Sequence, residues 1–248
     1  MDTNIYVALS HQVAMRRQLD IIANNIANMD TTAFKRESVM FKEYIDDIDG
    51  DMPKSLRQVA FVQDYGISRK MTDGNYVTTG NPFDIALSGD GLFKVRRENG
   101  EVAYTRNGHL ALAEDGTLVV STGQPILDAD NNPIQFPTPS NFTGVEIASD
   151  GNIWSKEHGT LGKLGIVTFA DTSQLNKIGD NLFNTQQAPL QAQDYKIIQG
   201  VTESSNVEPI VEITKMIEVS RAYTSMAKLM EDTQNAQDQA INRLTRLT

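Results

Sequence analysis

The chain has 248 residues, 40% of them hydrophobic, with 32 acidic against 22 basic side chains and a formal net charge of −10. That length and apolar content suffice for one large domain or two small ones. The acidic excess argues against a nucleic-acid surface, since the basic residues form only isolated pairs such as Arg16-Arg17 and Lys35-Arg36. The absence of cysteine excludes disulfides and thiolate metal sites.

The first predicted element is a helix that opens after Thr3 or Asn4 and fades at Asp30-Thr31-Thr32, with residues 1–34 forming one segment. Within it Ile5, Ala8, Met15, Leu19, Ile22, Ile26 and Met29 occupy the first and fourth positions of successive heptads, and only Gln12 breaks the seam. A stripe this narrow buries itself against another helix. The start Met1-Asp2-Thr3-Asn4 lacks the basic residues of a cleavable signal, so if the chain leaves the cytoplasm a route that reads no such signal is expected. No segment reaches the ~18 apolar residues of a membrane span, and no membrane insertion is expected.

Residues 35–80 read as an extended connecting region. Asp46, Asp47, Asp49 and Asp51 surround Gly50, and Pro53 follows, which marks an exposed turn between extended arms. Residues 81–184 carry all-β signals. Asp90-Gly91, Asn99-Gly100, Asn107-Gly108, Asp115-Gly116 and Asp150-Gly151 are dipeptides suited to hairpin turns. Between them lie the β-forming runs Leu92–Val95, Val102–Thr105, Leu118–Val120 and Ile166–Phe169. An antiparallel β domain is expected.

Residues 185–204 return toward a second helix over 205–248, capped by Ser204-Ser205-Asn206, with Glu208 near the positive end of its dipole and Pro209 in its first turn. Its seam runs Ile213, Met216, Tyr223, Ala227, Met230, Ile241 and Leu244, interrupted by Ser220, Gln234 and Gln237. The expected fold class is α+β, with the N- and C-terminal helices paired as an antiparallel coiled coil and a central all-β domain. The alternative is that each helix packs on the β domain as an ordinary amphipathic helix.

Candidate chemistry is sparse. His11, His109 and His158 lie in separate segments without metal-ligand spacing. Asp128-Ala129-Asp130-Asn131-Asn132 imitates the start of a calcium loop, but Pro133 replaces its glycine and Pro139 its bidentate glutamate. Gly89-Asp90-Gly91 lacks the lysine and the helix of a phosphate loop. Asp84, Asp90, Glu98, Glu101 and Asp115 offer carboxylates for glycoside hydrolysis, yet such residues in turn-rich β proteins usually cap backbone donors. No catalytic residue, cofactor or metal is expected.

The segment Ala23-Asn24-Asn25-Ile26-Ala27-Asn28-Met29-Asp30-Thr31-Thr32-Ala33-Phe34-Lys35-Arg36 resembles the N-terminal signature of the bacterial flagellar rod and hook proteins. Asn81–Leu87 with Gly91-Leu92-Phe93, Tyr104–Gly108, Ser205-Asn206-Val207, Met216-Ile217 and Arg221-Ala222-Tyr223 are similar to further motifs of that family. Ala33 stands where the family usually has glycine, which would strain the turn after the helix, and Val201-Thr202-Glu203 replaces the usual lead-in to Ser-Asn-Val.

The resemblance implies a non-enzymatic subunit of the flagellar basal body that leaves the cytoplasm through the flagellar type III export apparatus. Its partners would be other rod subunits and axial proteins in a helical hetero-oligomer spanning the periplasm. The short N-terminal lead and the tail 230–247 favour a proximal-rod over a distal-rod subunit. On this reading Ile5, Met15, Leu19, Ile22, Asn24, Asn25, Ile26, Asn28, Asn206, Ile213, Met216, Tyr223, Met230, Ile241 and Leu244 form the subunit interface. The asparagines 24, 25 and 28 would lie off the seam, bonding either neighbours or water. Marginal helices with polar interruptions would gain stability on burial among neighbours, and contacts that never close into a ring build a filament. A peptidoglycan-binding or -cleaving module and a generic secreted coiled-coil protein are the competing classes.

Overall fold

The computed structural model describes residues 2–47, 58–137 and 144–245. The tip of the acidic turn around Gly50 lies outside these residues, as do the side chains of Ile5, Ile241 and Leu244. The chain divides into two compact units. One comprises Met1–Ala27, Glu37–Ser68 and Glu208–Thr248, and the other Asn28–Arg36 and Arg69–Val207.

The first unit contains α1 (Asp2–Ala27), the paired strands β1 (Glu37–Asp47) and β2 (Gln58–Arg69), and α2 (Pro209–Thr245). The helices, about 39 and 55 Å long at 1.5 Å per residue, pack against each other, and α1 also packs on β1. The first helix ends a turn earlier than its sequence suggests. Asn28 and Thr31 close a turn instead, Thr31 N donating to Asn28 O at 3.2 Å, and Ala33 adopts φ 59°. The second helix opens at Pro209, where a missing N–H costs nothing. Ser205 therefore lies upstream of it, and its hydroxyl accepts from Val207 N in a local turn.

The second unit is all-β. Its strands are β3 (Tyr76–Thr78), β4 (Ile85–Gly89), β5 (Leu92–Arg96), β6 (Val102–Thr105), β7 (Leu110–Leu112), β8 (Leu118–Val120), β9 (Val145–Ile147) and β10 (Asn152–Ser155). They continue with β11 (Gly159–Lys163), β12 (Ile166–Thr168), β13 (Asn176–Gly179), β14 (Leu182–Asn184), β15 (Leu190–Gln191), β16 (Tyr195–Gln199) and β17 (Val201–Glu203). A six-stranded sheet has the order β13-β14-β6-β5-β12-β15, and a three-stranded sheet the order β11-β10-β9. Pairs β16-β4, β17-β3 and β7-β8 complete the unit, and their ladders run antiparallel.

Alternation along the central strands explains why the middle of the six-stranded sheet is buried on both faces. Phe93, Val95 and Ala103 join Ile85, Leu87, Leu118, Ile126 and Ile153 in the larger core. Leu92 and Tyr104 point the other way, into a second cluster with Val167, Phe169, Leu175 and Phe183. Each fully buried side chain of this kind contributes roughly 1.5–3 kcal/mol.

Three of the five expected turn dipeptides hold glycines in the left-handed region, namely Gly100, Gly116 and Gly151. The other two serve differently. Gly108 lies where a Cβ would sit 1.8 Å from the Ile85 carbonyl oxygen, so it permits a close backbone approach. At Gly91 the positive φ belongs instead to Gly89, at 91°. The returning segment 185–204, expected as a connector, supplies three strands of the unit.

Candidate assembly interface

Three of the four residues that line the buried side of α1 most deeply are apolar. Ala14, Ile21, Ile22 and Asn25 are buried, while Met15, Leu19 and Ile26 are half-buried beside them. The face is therefore wider than a two-position heptad seam, because α1 meets both α2 and β1. On α2 Lys215 and Ala227 are half-buried beside a line of inward residues made of Glu212, Met216, Val219, Tyr223, Met226 and Met230. Their 4-3-4-3-4 spacing is that of a heptad seam. Of the expected seam, Met216, Tyr223, Ala227 and Met230 are half-buried, but it began one position late. Ile213 is 46% exposed, and Val219 rather than Ser220 faces inward, so the interruption expected there does not occur.

Asn25 sits on the buried face and not off it, with 0% exposure. Its Nδ2 donates to Glu37 O at 2.8 Å and to Glu212 Oε2 at 3.0 Å, and its Oδ1 accepts from Glu37 N at 2.9 Å. Glu212 lies in the first turn of α2, where a carboxylate complements the helix dipole. The amide thus ties the end of α1, the start of β1 and the start of α2. Asn24 is exposed, whereas Asn28 is half-buried and its Oδ1 accepts from Thr31 Oγ1 at 3.2 Å.

Asn206 belongs to the β unit and also bonds within the chain. Its Oδ1 accepts from Arg36 N at 2.7 Å, and its Nδ2 donates to Lys70 O and Thr72 O at 2.7 and 2.9 Å. Nearby, a buried ionic cluster escaped the sequence reading. Glu203 accepts from Lys35 Nζ at 2.5 Å, Arg106 Nε at 2.9 Å and Gly74 N at 2.9 Å, while Arg106 also reaches Asp73 at 2.6 Å. Burial pushes the Lys35 ammonium below its ordinary pKa, and the Glu203 carboxylate opposes that shift. The only signal for the cluster is that Lys35, Arg106 and Glu203 all fall inside or beside the family-like motifs.

The candidate chemical residues resolve into structural roles. Asp84 is buried and pairs with His109 Nδ1 at 2.6 Å. In the calcium-like loop, Asp128 Oδ1 accepts from Asp130 N and Asn132 N, and the Lys94 ammonium donates to Ala129 O and Asn131 Oδ1 at 2.7 and 2.8 Å. A tethered cation therefore occupies the loop's oxygen-rich side. Burial lowers the Lys94 pKa, against the pull of Asp128 and Asp130. No group of three or more His, Cys, Asp or Glu residues converges among the described residues. None of their helices is long and apolar enough to cross a membrane.

The helices also carry apolar side chains on their outer faces. Tyr6, Leu9 and Val13 form an exposed stripe on α1, and Ile210, Ile213 and Ile217 a second on α2, both at i, i+3, i+7 spacing. Phe41, Tyr44 and Ile45 of β1 and Tyr65 of β2 are exposed as well. Apolar stripes of this kind on ordered elements mark surfaces that meet other macromolecules.

Family models match three parts of the chain. "Flagella basal body rod protein" matches residues 5–35, "Flagellar hook protein FlgE/F/G D1 domain" matches 86–155, and "Flagellar basal body rod FlgEFG protein C-terminal" matches 198–244. The flagellar basal-body rod protein FlgF of Caulobacter vibrioides is 40% identical over 253 residues, covering 100% of both chains. FlgF of Mesorhizobium japonicum is 34% identical and covers 98% of each. The rod protein FlgG of Buchnera aphidicola from Acyrthosiphon pisum is 30% identical, covering 100% of each.

Proposed function

The chain belongs to the flagellar basal-body rod protein family and is a structural subunit of the rod, and we propose that it polymerises through the outer faces of its terminal helices as a proximal-rod subunit. The observation that carries this reading is the pair of exposed apolar stripes, Tyr6-Leu9-Val13 and Ile210-Ile213-Ile217. Their inner faces are already occupied by the helix pair, so the outer stripes must find partners in neighbouring subunits to leave water. Burying six such side chains supplies an apolar contribution of several kcal/mol at roughly 25 cal/mol per Å², which offsets part of the entropy lost on association.

The helices pair antiparallel as a short coiled coil. The α2 heptad spacing supports this, as does the bond from Asn25 at the end of α1 to Glu212 at the start of α2. Met15, Leu19, Ile22, Ile26, Met216, Tyr223 and Met230 then form the seam inside the subunit, while Ile213 and the exposed Asn24 face neighbours. Repetition of a head-to-tail contact that does not close builds the tube that bears torque and encloses the export channel. The subunit reaches the periplasm-spanning rod through the flagellar type III export apparatus and assembles with other rod and axial proteins. The FlgF relatives, matched at higher identity than FlgG, favour the proximal over the distal rod.

Motility and rod isolation with the Leu9→Asp, Ile213→Asp chain test the reading. A folded but unassembled subunit is expected. Normal rods containing this variant would refute the outer-face contact.

A further inference from the structure

The chain's one tryptophan does not serve its core. Trp154 on β10 is 43% exposed, whereas its strand neighbours Ile153 and Ser155 are buried. Regular alternation along β10 turns Trp154 outward, while the ladder to β11 skips Leu161 in a bulge on that neighbouring strand. Trp154 faces Glu146 of β9 on one side and Thr160 of β11 on the other, so the three side chains share one sheet face. Asn152, two residues before it, lies on the same face.

These residues line a groove of about 540 Å³, within the ~300–1,000 Å³ range of small-molecule sites. Its wall at Gln199 is rigid. The Gln199 amide donates to Pro82 O and Val145 O at 2.9 Å each and accepts from Ile147 N at 3.2 Å. Glu146 is the one ionisable side chain among the described residues that line the groove, and Lys163 stands across from Asn152 on the adjoining strand.

We infer that this groove binds a neutral oligosaccharide, its sugar ring stacked on Trp154 and its hydroxyls bonded by Glu146, Asn152 and Thr160. A gluco-configured pyranose has the matching chemistry. All-equatorial hydroxyls leave axial C–H bonds on both ring faces, which suit the electron-rich indole face. The rim of hydroxyls needs the mixed donors and acceptors that a carboxylate, an amide and a threonine supply. An anionic or purely apolar ligand would leave Glu146 or the amide poorly matched. This role is separate from assembly and does not depend on it.

Because Trp154 is the only tryptophan, the intrinsic tryptophan emission of the full-length chain reports this groove alone. Titration with cellotetraose and with N-acetylchitotetraose is expected to give a saturable change with at least one of them, half-complete in the ~mM range or below. Glu146→Ala and Thr160→Val should each weaken binding roughly five-fold with unchanged circular dichroism. Trp154→Ala, followed by calorimetry, should abolish it. No saturable response to either sugar up to ~10 mM would overturn the assignment. So would a response that survives in Glu146→Ala and Trp154→Ala, or an emission that follows protein concentration alone, which would place a second copy on the groove.

Discussion

Asn25 Nδ2 donates to Glu212 Oε2 at 3.0 Å, linking two side chains 187 residues apart that are 0% and 1% exposed. A carboxylate this deeply buried depends on its donors, because water cannot replace them.

Asn25→Ala should therefore destabilise the helix unit by about 1–3 kcal/mol, and Asn25→Asp by more, since it places a second carboxylate beside Glu212. Hydrogen exchange over the first turns of α2 is the direct readout. Unchanged protection there in both variants would show that the contact does not hold the helix.

Ala33 holds φ 59° with a nearly fully buried side chain. The left-handed region costs an L-residue roughly 1–2 kcal/mol, a cost that glycine escapes, although glycine loses more backbone entropy on folding. The balance predicts that Ala33→Gly raises stability by up to ~1 kcal/mol. Thermal melting checks it, and a lower Tm would contradict the strain argument.

Glu203→Gln leaves the buried Lys35 ammonium without its carboxylate and Arg106 with Asp73 alone. A loss of about 3–5 kcal/mol is expected in the β unit. Denaturation followed by the loss of β circular dichroism measures it. A loss below ~1 kcal/mol would mean that Lys35 sheds its proton or is reached by water, so that the carboxylate does not hold the cluster.

Val13→Asp and Ile217→Asp lie on the outer stripes and should leave subunit stability within about 0.5 kcal/mol while abolishing motility. Ile22→Asp and Leu19→Asp lie on the inner face and should lose both assembly and helix protection. Motile cells carrying Val13→Asp would shift the interface away from α1.

Tyr76 donates its hydroxyl to Asp73 Oδ2 at 2.6 Å, and desolvation followed by that bond pushes its pKa up to about 12. The unfolded phenol ionises near ~10. Between these values the unfolded chain has already released the proton that the folded chain keeps, so the Tyr76 contribution is full below the unfolded value and is lost as pH rises through the folded one. Stability should fall over that window in the parent chain and less in Tyr76→Phe. Parallel curves for the two would remove Tyr76 as the cause.

The sequence by itself determined the kinds of element and their order. Heptad spacing gave two terminal helices, and short β-forming runs between turn dipeptides gave strands such as Val102–Thr105 at their observed bounds, because these signals are local and repeat with the backbone's own period. The motif from Ala23 to Arg36 was enough to reveal the family. Tertiary structure decided which face of each helix turned inward. Ile213 and Val219 differ little in hydrophobicity, and only the position of the partner helix leaves the first exposed and half-buries the second. It also decided the polar contacts. Nothing in the local pattern joins Asn25 to Glu212 or Lys35 to Glu203, since such bonds depend on where distant segments meet and on burial that makes an unpaired charge costly. The outward face of Trp154 follows from plain alternation along its strand, but its neighbours Glu146 and Thr160 come from strand pairings that no spacing announces.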